Sequence, residues 1–362
     1  MGTERQGSGK KKREAKPKSV SLKELSNYVG LAPATVSLVM NGSLTSGIAP
    51  ETRDRVLAAA RKLNYRPNFL ARSLRTRKSF TVGVLMPDVS EGYSVTVLRG
   101  IEAGLRKANY FHFVASHHLR LEMIEEYVQM FQDRSVDGLI IACAPWTLTA
   151  PYPVVSISSE NSVKGTASVL LDHDLATELA LRHLVQLGHR RIAFIKGIDS
   201  IPDTEIRWSA IVRAASKLDL RIHPQLIAQI EDPVTPSGPH LGYGVTQKLL
   251  ARREGFTALF AFNDVCAFGA IRALSESGLR VPDDVSVVGF DDIESAAYQT
   301  RSLTTIRQPL EEMGRLAAEN LLHRIGRTGD PANVVEQIVV APELVVRETT
   351  AAARELLAKA GK

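Results

Sequence analysis

The chain has 362 residues, 44% of them hydrophobic and two of them cysteine, which is enough for two or three packed domains and too few thiols for a disulfide framework. Its formal charge of +6 is unevenly spread: residues 1–78 hold 17 Lys and Arg against 5 Asp and Glu, leaving 28 against 34 for the remainder. A basic front on an acidic body is the footprint of a polyanion partner, since neutralised phosphates release counterions. No apolar run approaches the roughly 18 residues that span a bilayer, and the N-terminus lacks a signal peptide's apolar segment, so a reducing cytoplasm and no membrane partner are expected.

Residues 1–18, with Lys10-Lys11-Lys12-Arg13, read as a disordered basic tail. Ser21-Leu22-Lys23-Glu24 has capping-box spacing and opens a helix carrying Leu22, Leu25 and Val29 until Gly30 breaks it. Pro33 sits in a favoured first-turn position of a second helix, closed by Asn41-Gly42. That helix is roughly 10 Å long, a match to a major groove about 12 Å wide. A third helix runs from Pro50-Glu51-Thr52 to Leu63, with Val56, Leu57, Ala60 and Leu63 as its expected buried stripe. After the turn Asn64-Tyr65-Arg66-Pro67-Asn68 comes a short helix-capable segment, Phe69 to Arg75, in which Leu74 stands among cations.

Ala34-Thr35-Val36-Ser37 with Asn41, then Leu63-Asn64-Tyr65-Arg66-Pro67-Asn68, then Ala71-Arg72-Ser73-Leu74 are together specific, and through them the chain resembles the LacI family of repressor-type transcription factors from about residue 19 to 349. The resemblance implies an α/β fold: a small all-α helix-turn-helix headpiece (19–67), a hinge helix and linker (68–79), two doubly wound parallel-sheet lobes like periplasmic binding proteins (80–349), and a C-terminal tail (350–362). It further implies three crossings between lobes near 187, 308 and 338. The N-lobe would then comprise about 80–186 and 309–337, the C-lobe about 187–308 and 338–349.

The body's own pattern is βαβ rhythm. Phe80 to Met86 is an apolar run ended by Pro87-Asp88; strands are expected near 110–115, 138–142 and 153–157, and helices near 94–108, 121–134 and 175–187. A second cycle opens at Arg191-Ile192-Ala193-Phe194-Ile195, with helices near 205–218 and 242–253 and strands at 258–261 and 285–289. Open parallel sheets bind ligands beyond the carboxyl ends of their strands. Asn263-Asp264, Asp291-Asp292 and Arg207-Trp208 follow strands there, an inventory of carboxylates, amide and guanidinium suited to fixing several hydroxyls of a sugar.

By resemblance, Asp174, Arg207, Asn263, Asp291 and Gln308 match the effector-contacting positions. Competing readings stay open: Asp174 as the cap of a helix at Leu175, Asp264 and Asp292 as caps of the segments after them, Trp146 and Trp208 as core or as stacking platforms. Ser90-Glu91-Gly92-Tyr93 departs from the family's common turn, which places Glu91 and Tyr93 to alter ligand choice. His117-His118 and Asp172-His173-Asp174 are metal-ligand types, but adjacent strand residues face opposite ways and no third ligand is evident, so no metal or cofactor is expected.

Gly242-Tyr243-Gly244 lacks the third glycine and preceding strand of a dinucleotide fingerprint, no phosphate-cradling loop occurs, and no base, activated nucleophile or phosphate cradle supports a sugar-processing enzyme. The expectation is a sequence-specific repressor that is no enzyme. A homodimer would bind a near-palindromic double-stranded operator. Pro33, Ala34 and Leu38 would read base edges, Thr35 and Ser37 would take phosphates or groove edges, Asn41 a phosphate, Arg72 and Arg75 the bent backbone, and Leu74 would wedge the minor groove. Leu38 stands where family members often carry Arg or His, so methyl contacts and DNA deformability would carry more of the selectivity, unless Leu38 merely packs in the headpiece. The effector is expected to be a sugar, with a nucleobase or a phosphorylated metabolite as alternatives.

Overall fold

The computed structural model describes residues 20–40, 47–66, 73, 76, 78–89, 92–144, 146, 148, 150–159, 163, 166–231, 238–326 and 336–354, and the chain forms two units, 1–78 and 79–362. In the first, Ser21 Oγ accepts the Glu24 amide at 3.2 Å while Glu24 Oε2 accepts the Ser21 amide at 2.7 Å. This capping box opens α1 (Leu22–Val29), which Gly30 ends at φ 67°, a left-handed turn that costs a glycine little. Helices α2 (Pro33–Met40) and α3 (Pro50–Lys62) come next. The three enclose Leu25, Val36, Val39, Val56, Ala59 and Ala60. Leu57, expected in the buried stripe, is 37% exposed. At 100° per residue, 56, 59, 60 and 63 share one face and 57 falls beyond its edge.

The second unit holds two six-stranded sheets of matching order. The first is built from β1 (Thr81–Met86), β2 (Phe111–Ser116), β3 (Gly138–Ala142), β4 (Val154–Ile157), β5 (Thr166–Leu171) and β11 (Glu336–Val340), ordered 2-1-3-4-5-11 and parallel throughout. The second is built from β6 (Ile192–Lys196), β7 (Ile227–Gln229), β8 (Ala258–Phe260), β9 (Ser286–Asp291), β10 (Thr304–Arg307) and β12 (Glu343–Val345), ordered 7-6-8-9-10-12, with only β12 antiparallel. Most strands are continuous apolar runs because helices cover both faces. Edge strands β2, β11 and β12 depart from this, and β2 carries Phe111, Phe113 and Val114 at its exposed positions.

In the N-lobe, α4 (Tyr93–Lys107) and α10 (Leu310–Gly326) pack on one face around Val97, Ile101, Met313 and Leu321, and α5 (Leu121–Asp133) covers the other through Ile124, Val128 and Phe131. The C-lobe places α8 (Pro239–Ala251) and α9 (Asp264–Glu276) on one face, α6 (His173–Gln186) and α7 (Pro202–Lys217) on the other. Gly242, which belongs to no nucleotide fingerprint, has a packing reason instead: a Cβ there would collide with the Cys266 carbonyl of α9.

Two crossings fall elsewhere than expected. Helix α6 belongs to the C-lobe, since Ala176, Ala180, Leu181 and Leu184 pack with Ile211, Ala214 and Phe290, so the first crossing is near 172 and not 187. Ile338 lies within β11, paired with Val169 of the N-lobe sheet, so the third crossing comes at 341–342. The second lies between β10 and α10, at 308–309.

Candidate functional site

A cavity of about 360 Å³ opens where the strands of both lobes present their carboxyl ends. From the N-lobe come Pro87 and Asp88 after β1, Leu119 after β2 and Cys143 after β3, with Tyr93 and Ser94 from the start of α4. From the C-lobe come Ile198 and Ile201 after β6, Ile230 after β7, Asn263 after β8, Asp291 at the end of β9 and Gln308 after β10. This is the crevice that doubly wound topology predicts.

Helix α7, started by Pro202, carries Asp203 and Arg207 four residues apart and therefore on one face. Both are buried, with Arg207 Nη2 3.8 Å from Asp203 Oδ2. The guanidinium carbon lies 3.7 Å from the Phe290 ring centroid and 4.5 Å from that of Phe262, and Nη1 donates to the Phe262 carbonyl. Two aromatic faces and a carbonyl thus fix a cation in the wall of the cavity. His173 stands on the far side of Asp203, Nε2 to Oδ2 3.5 Å, and stacks on Phe290.

Asp291 terminates β9 at φ 118°, a conformation that costs a non-glycine residue on the order of 1–3 kcal/mol and persists where surroundings enforce it. Its Oδ1 accepts from Gln308 Nε2 at 2.6 Å. Burial pushes its carboxyl well above the usual carboxylate range, with Arg207 and Gln308 pulling the other way. Among the described residues, Gln308 Oε1, Arg207 Nε and His173 Nδ1 are buried without a hydrogen-bond partner. Of these, Gln308 and Arg207 line the cavity, where their polar atoms can serve a polar ligand.

Arg207, Asn263, Asp291 and Gln308 line the cavity. Asn263 also caps α9, Oδ1 accepting the Cys266 amide at 2.9 Å, while Asp264 faces inward to Thr305 Oγ1 and the Ile293 amide at 2.9 Å. Asp264 is therefore an internal tie, and Asp292 pairs with Arg307 and Arg347, each at 2.7 Å. Asp174 departs from expectation. It is absent from the lining, exposed, and paired at 2.8 Å with Arg213 of α7, because α6 starts at His173 with Asp172 as its cap and turns Asp174 to the surface.

Trp146 is buried in the N-lobe core and Trp208 packs against Phe194 and under Lys196; neither lines the cleft, where Phe262 and Phe268 stand instead. Asp203 was not anticipated, although its i−4 spacing to Arg207 signals it. Tyr93 does reach the cavity, its hydroxyl 2.8 Å from Ser158 Oγ; Glu91 lies outside the described residues.

The two thiols, Cys143 and Cys266, are pushed up to about 12 by burial and act as small apolar surfaces. His117 is fully buried: Nε2 meets the Ala142 carbonyl at 2.9 Å and Nδ1 accepts the Leu119 amide at 3.1 Å. Both ring nitrogens are thereby used to tie the ends of β2 and β3 beneath Leu119 and Cys143 of the lining. Among the described residues no three His, Cys, Asp or Glu side chains converge as a metal site would require.

In the headpiece, α2 turns Val36 and Val39 inward and leaves Pro33, Ala34 and Leu38 exposed, with Thr35 and Ser37 half-buried. Leu38 is 44% exposed, so it is not a core residue. Asn41, Arg72, Leu74 and Arg75 lie outside the described residues.

A trihelical headpiece with a basic sequence and a two-lobed body closing on a ligand-sized cleft define a ligand-controlled DNA-binding regulator. Residues 21–68 match the family model of bacterial regulatory proteins of the lacI family, and residues 181–350 match a periplasmic binding protein-like domain. The chain is 31% identical over 336 residues to an HTH-type transcriptional repressor PurR of Haemophilus influenzae, covering 91% of this chain and 98% of that one. It is 31% identical over 335 residues to a ribose operon repressor of the same species, with coverage of 91% and 98%. A solved structure of the lac repressor dimer bound to operator and the anti-inducer ONPF superposes with a TM-score of 0.76 at 27% identity, over 92% of this chain and all of that one. The chain belongs to the LacI family. It is a DNA-binding transcriptional repressor controlled by a small molecule bound between its lobes, and not an enzyme. Among the described residues no helix is long and apolar enough to cross a membrane.

Proposed function

We propose that the effector is a sugar or sugar derivative held in the cleft by Arg207, Asn263, Asp291 and Gln308, with Asp203 bracing the guanidinium. The observation that carries this is the convergence on one cavity of a clamped guanidinium, a buried carboxyl at a strained backbone position and a buried amide. Vicinal hydroxyls are both donors and acceptors and satisfy such a mixed set. The resemblance to a ribose operon repressor favours a sugar, while the resemblance to a PurR repressor keeps a nucleobase as the alternative.

On the DNA side, the reading is a cytoplasmic, nucleoid-bound homodimer that sets α2 of each protomer into successive major grooves of a near-palindromic operator. Pro33, Ala34 and Leu38 meet base edges, Thr35, Ser37 and Asn41 meet phosphates, and the hinge segment brings Arg72 and Arg75 to the backbone and Leu74 into the minor groove. The exposed Phe111, Phe113 and Val114 on the unpaired edge of β2 support self-association, since such an edge is a liability for a monomer. Ligand binding shifts the population of lobe arrangements and so the spacing at which two hinges engage DNA. Operator titration of Asp291→Asn with and without candidate sugars is the test. The variant should bind operator as the wild type does and lose the ligand response; a retained response would remove Asp291 from the site.

A further inference from the structure

The second unit opens with a cluster of hydrogen bonds that its sheet does not require. Pairing of β1 with β2 starts at Thr81 and with β3 at Val82, so the amides of Ser79 and Phe80 lie ahead of the ladder. One carboxylate takes both. Asp137 Oδ1 accepts the Ser79 amide at 2.7 Å and the Ser79 hydroxyl at 3.1 Å, and Oδ2 accepts the Phe80 amide at 2.8 Å. Thr81 Oγ1 donates to the Ser79 carbonyl at 3.1 Å and closes the turn. Phe80 stands at φ 49°, a left-handed backbone that a residue with a Cβ seldom adopts unless its surroundings hold it there. Asp137 takes its amide, its carbonyl accepts the Phe111 amide at 2.9 Å, and its ring lies 5.5 Å from that of Tyr110.

Asp137 is itself fixed. Its amide donates to the Thr81 carbonyl at 2.8 Å, the preceding Val136 is buried in the core that α5 covers, and the following Gly138 begins β3. The two strands that leave this cluster, β1 and β3, run side by side toward Pro87, Asp88 and Cys143 in the wall of the cleft. Junction and cleft wall are thus opposite ends of one strand pair, and an N-lobe that turns carries Ser79 with it. Ser79 is the first residue of the second unit, at the end of the hinge and linker segment 68–79. Slack there passes straight along the chain to the headpiece. Two freed residues reach about 7 Å when extended, about two base-pair steps at roughly 3.4 Å each. Headpieces tethered with that slack would accept half-sites at several spacings, because a flexible tether's effective concentration changes slowly with span.

We propose that Asp137 is a positioning residue for DNA recognition: by bolting Ser79 and Phe80 to the N-lobe it fixes where the hinge leaves the body, and so sets the one half-site spacing that the protein accepts. This rests on the reading of the protein as a homodimer on a near-palindromic operator. Asp137 acts through the backbone of the linker rather than by touching base or phosphate.

The test is selection of duplexes from a random library by the full chain, then titration with the selected duplex and with the same duplex carrying two base pairs inserted between its half-sites. The wild type should select inverted repeats at one spacing. Asp137→Asn keeps the side chain's size but sets an amide NH2 against one of the donors, and Asp137→Ala removes the acceptor altogether. Both should keep the half-site sequence, accept spacings one or two base pairs away, and lose about 10-fold or more of the discrimination against the insertion. A merely structural carboxylate would lower the melting temperature and leave that ratio where it is. Ser79→Ala, at a half-buried position, removes one of the three bonds and should lower the ratio about 2- to 3-fold, which decides the question even if the Asp137 variants do not fold. An unchanged spacing and ratio in the variants that fold overturn this inference and leave the operator reading intact. A wild type that selects no paired half-sites overturns both.

Discussion

The two lobes share a strand order and a parallel construction, yet they divide the cleft unequally. The C-lobe brings Asp203, Arg207, Asn263, Asp291 and Gln308, and with them Asp291 at φ 118°, a carboxyl raised by burial and a guanidinium with an unpartnered Nε. The N-lobe brings Tyr93, Leu119 and Cys143, which close the space. One framework thus holds the larger polar set on one side and, on the other, a lid with Leu119 at φ 59° and Cys143 at φ 54°, and what distinguishes them is the residues placed after each strand.

The largest blow to this asymmetry is Arg207→Met. It leaves Asp203 and Asp291 buried without their cation, which should destabilise the body by about 3–5 kcal/mol and abolish effector binding. Thermal melts and calorimetry would show it. A variant with an unchanged melting temperature would mean that the cleft does not depend on the clamp.

Next in size is a difference in pH response. Asp291 and Asp264 hold raised values in the folded state through burial, so the stability they contribute is complete below the ordinary 3.8 and is lost as pH rises through the folded values. Asp291→Asn cannot titrate, and its stability relative to wild type should rise between pH 5 and 8 in urea unfolding; a constant gap across that range contradicts the assignment. His117, His183 and His189 are depressed by burial, so their contribution is present above 6.5 and lost as pH falls below it. Falling pH below 6.5 therefore removes the histidines' contribution while it restores that of the two carboxyls, and the two effects oppose each other.

A smaller effect belongs to the lid. Tyr93→Phe removes the 2.8 Å contact with Ser158 and should cost about 1 kcal/mol of stability, with effector affinity weakened less than about fivefold. A loss as large as that from Asp291→Asn would move recognition into the N-lobe. The smallest expectation concerns Asp174, whose exposed pairing with Arg213 makes Asp174→Ala neutral within about 0.5 kcal/mol and without effect on effector affinity.

Much of this architecture is legible in the residues. The capping box at Ser21 and Glu24, the left-handed stop at Gly30 and the continuous apolar runs of β1, β3 and β9 are local signals, fixed by backbone chemistry and by burial on both faces of a sheet. The polar residues at the ends of such strands mark Asn263 and Asp291 as cleft residues because a strand's end has one place to go in a doubly wound sheet, whereas Gln308 is marked by the family resemblance. Very short strands such as β7, Ile227–Gln229, carry too few residues for alternation to be visible.

Local order along the chain was enough to set which segments are helices and strands, which faces are apolar, and that basic residues gather at the front. Packing in three dimensions was needed to join α6 to the C-lobe, to turn Asp174 to solvent and Asp203 inward, to bring Phe262 and Phe268 rather than the tryptophans to the cleft, and to leave β2 at an edge. Periodicity states that a face must be covered, but the covering partner is chosen by close packing between segments far apart in sequence, which no local pattern encodes.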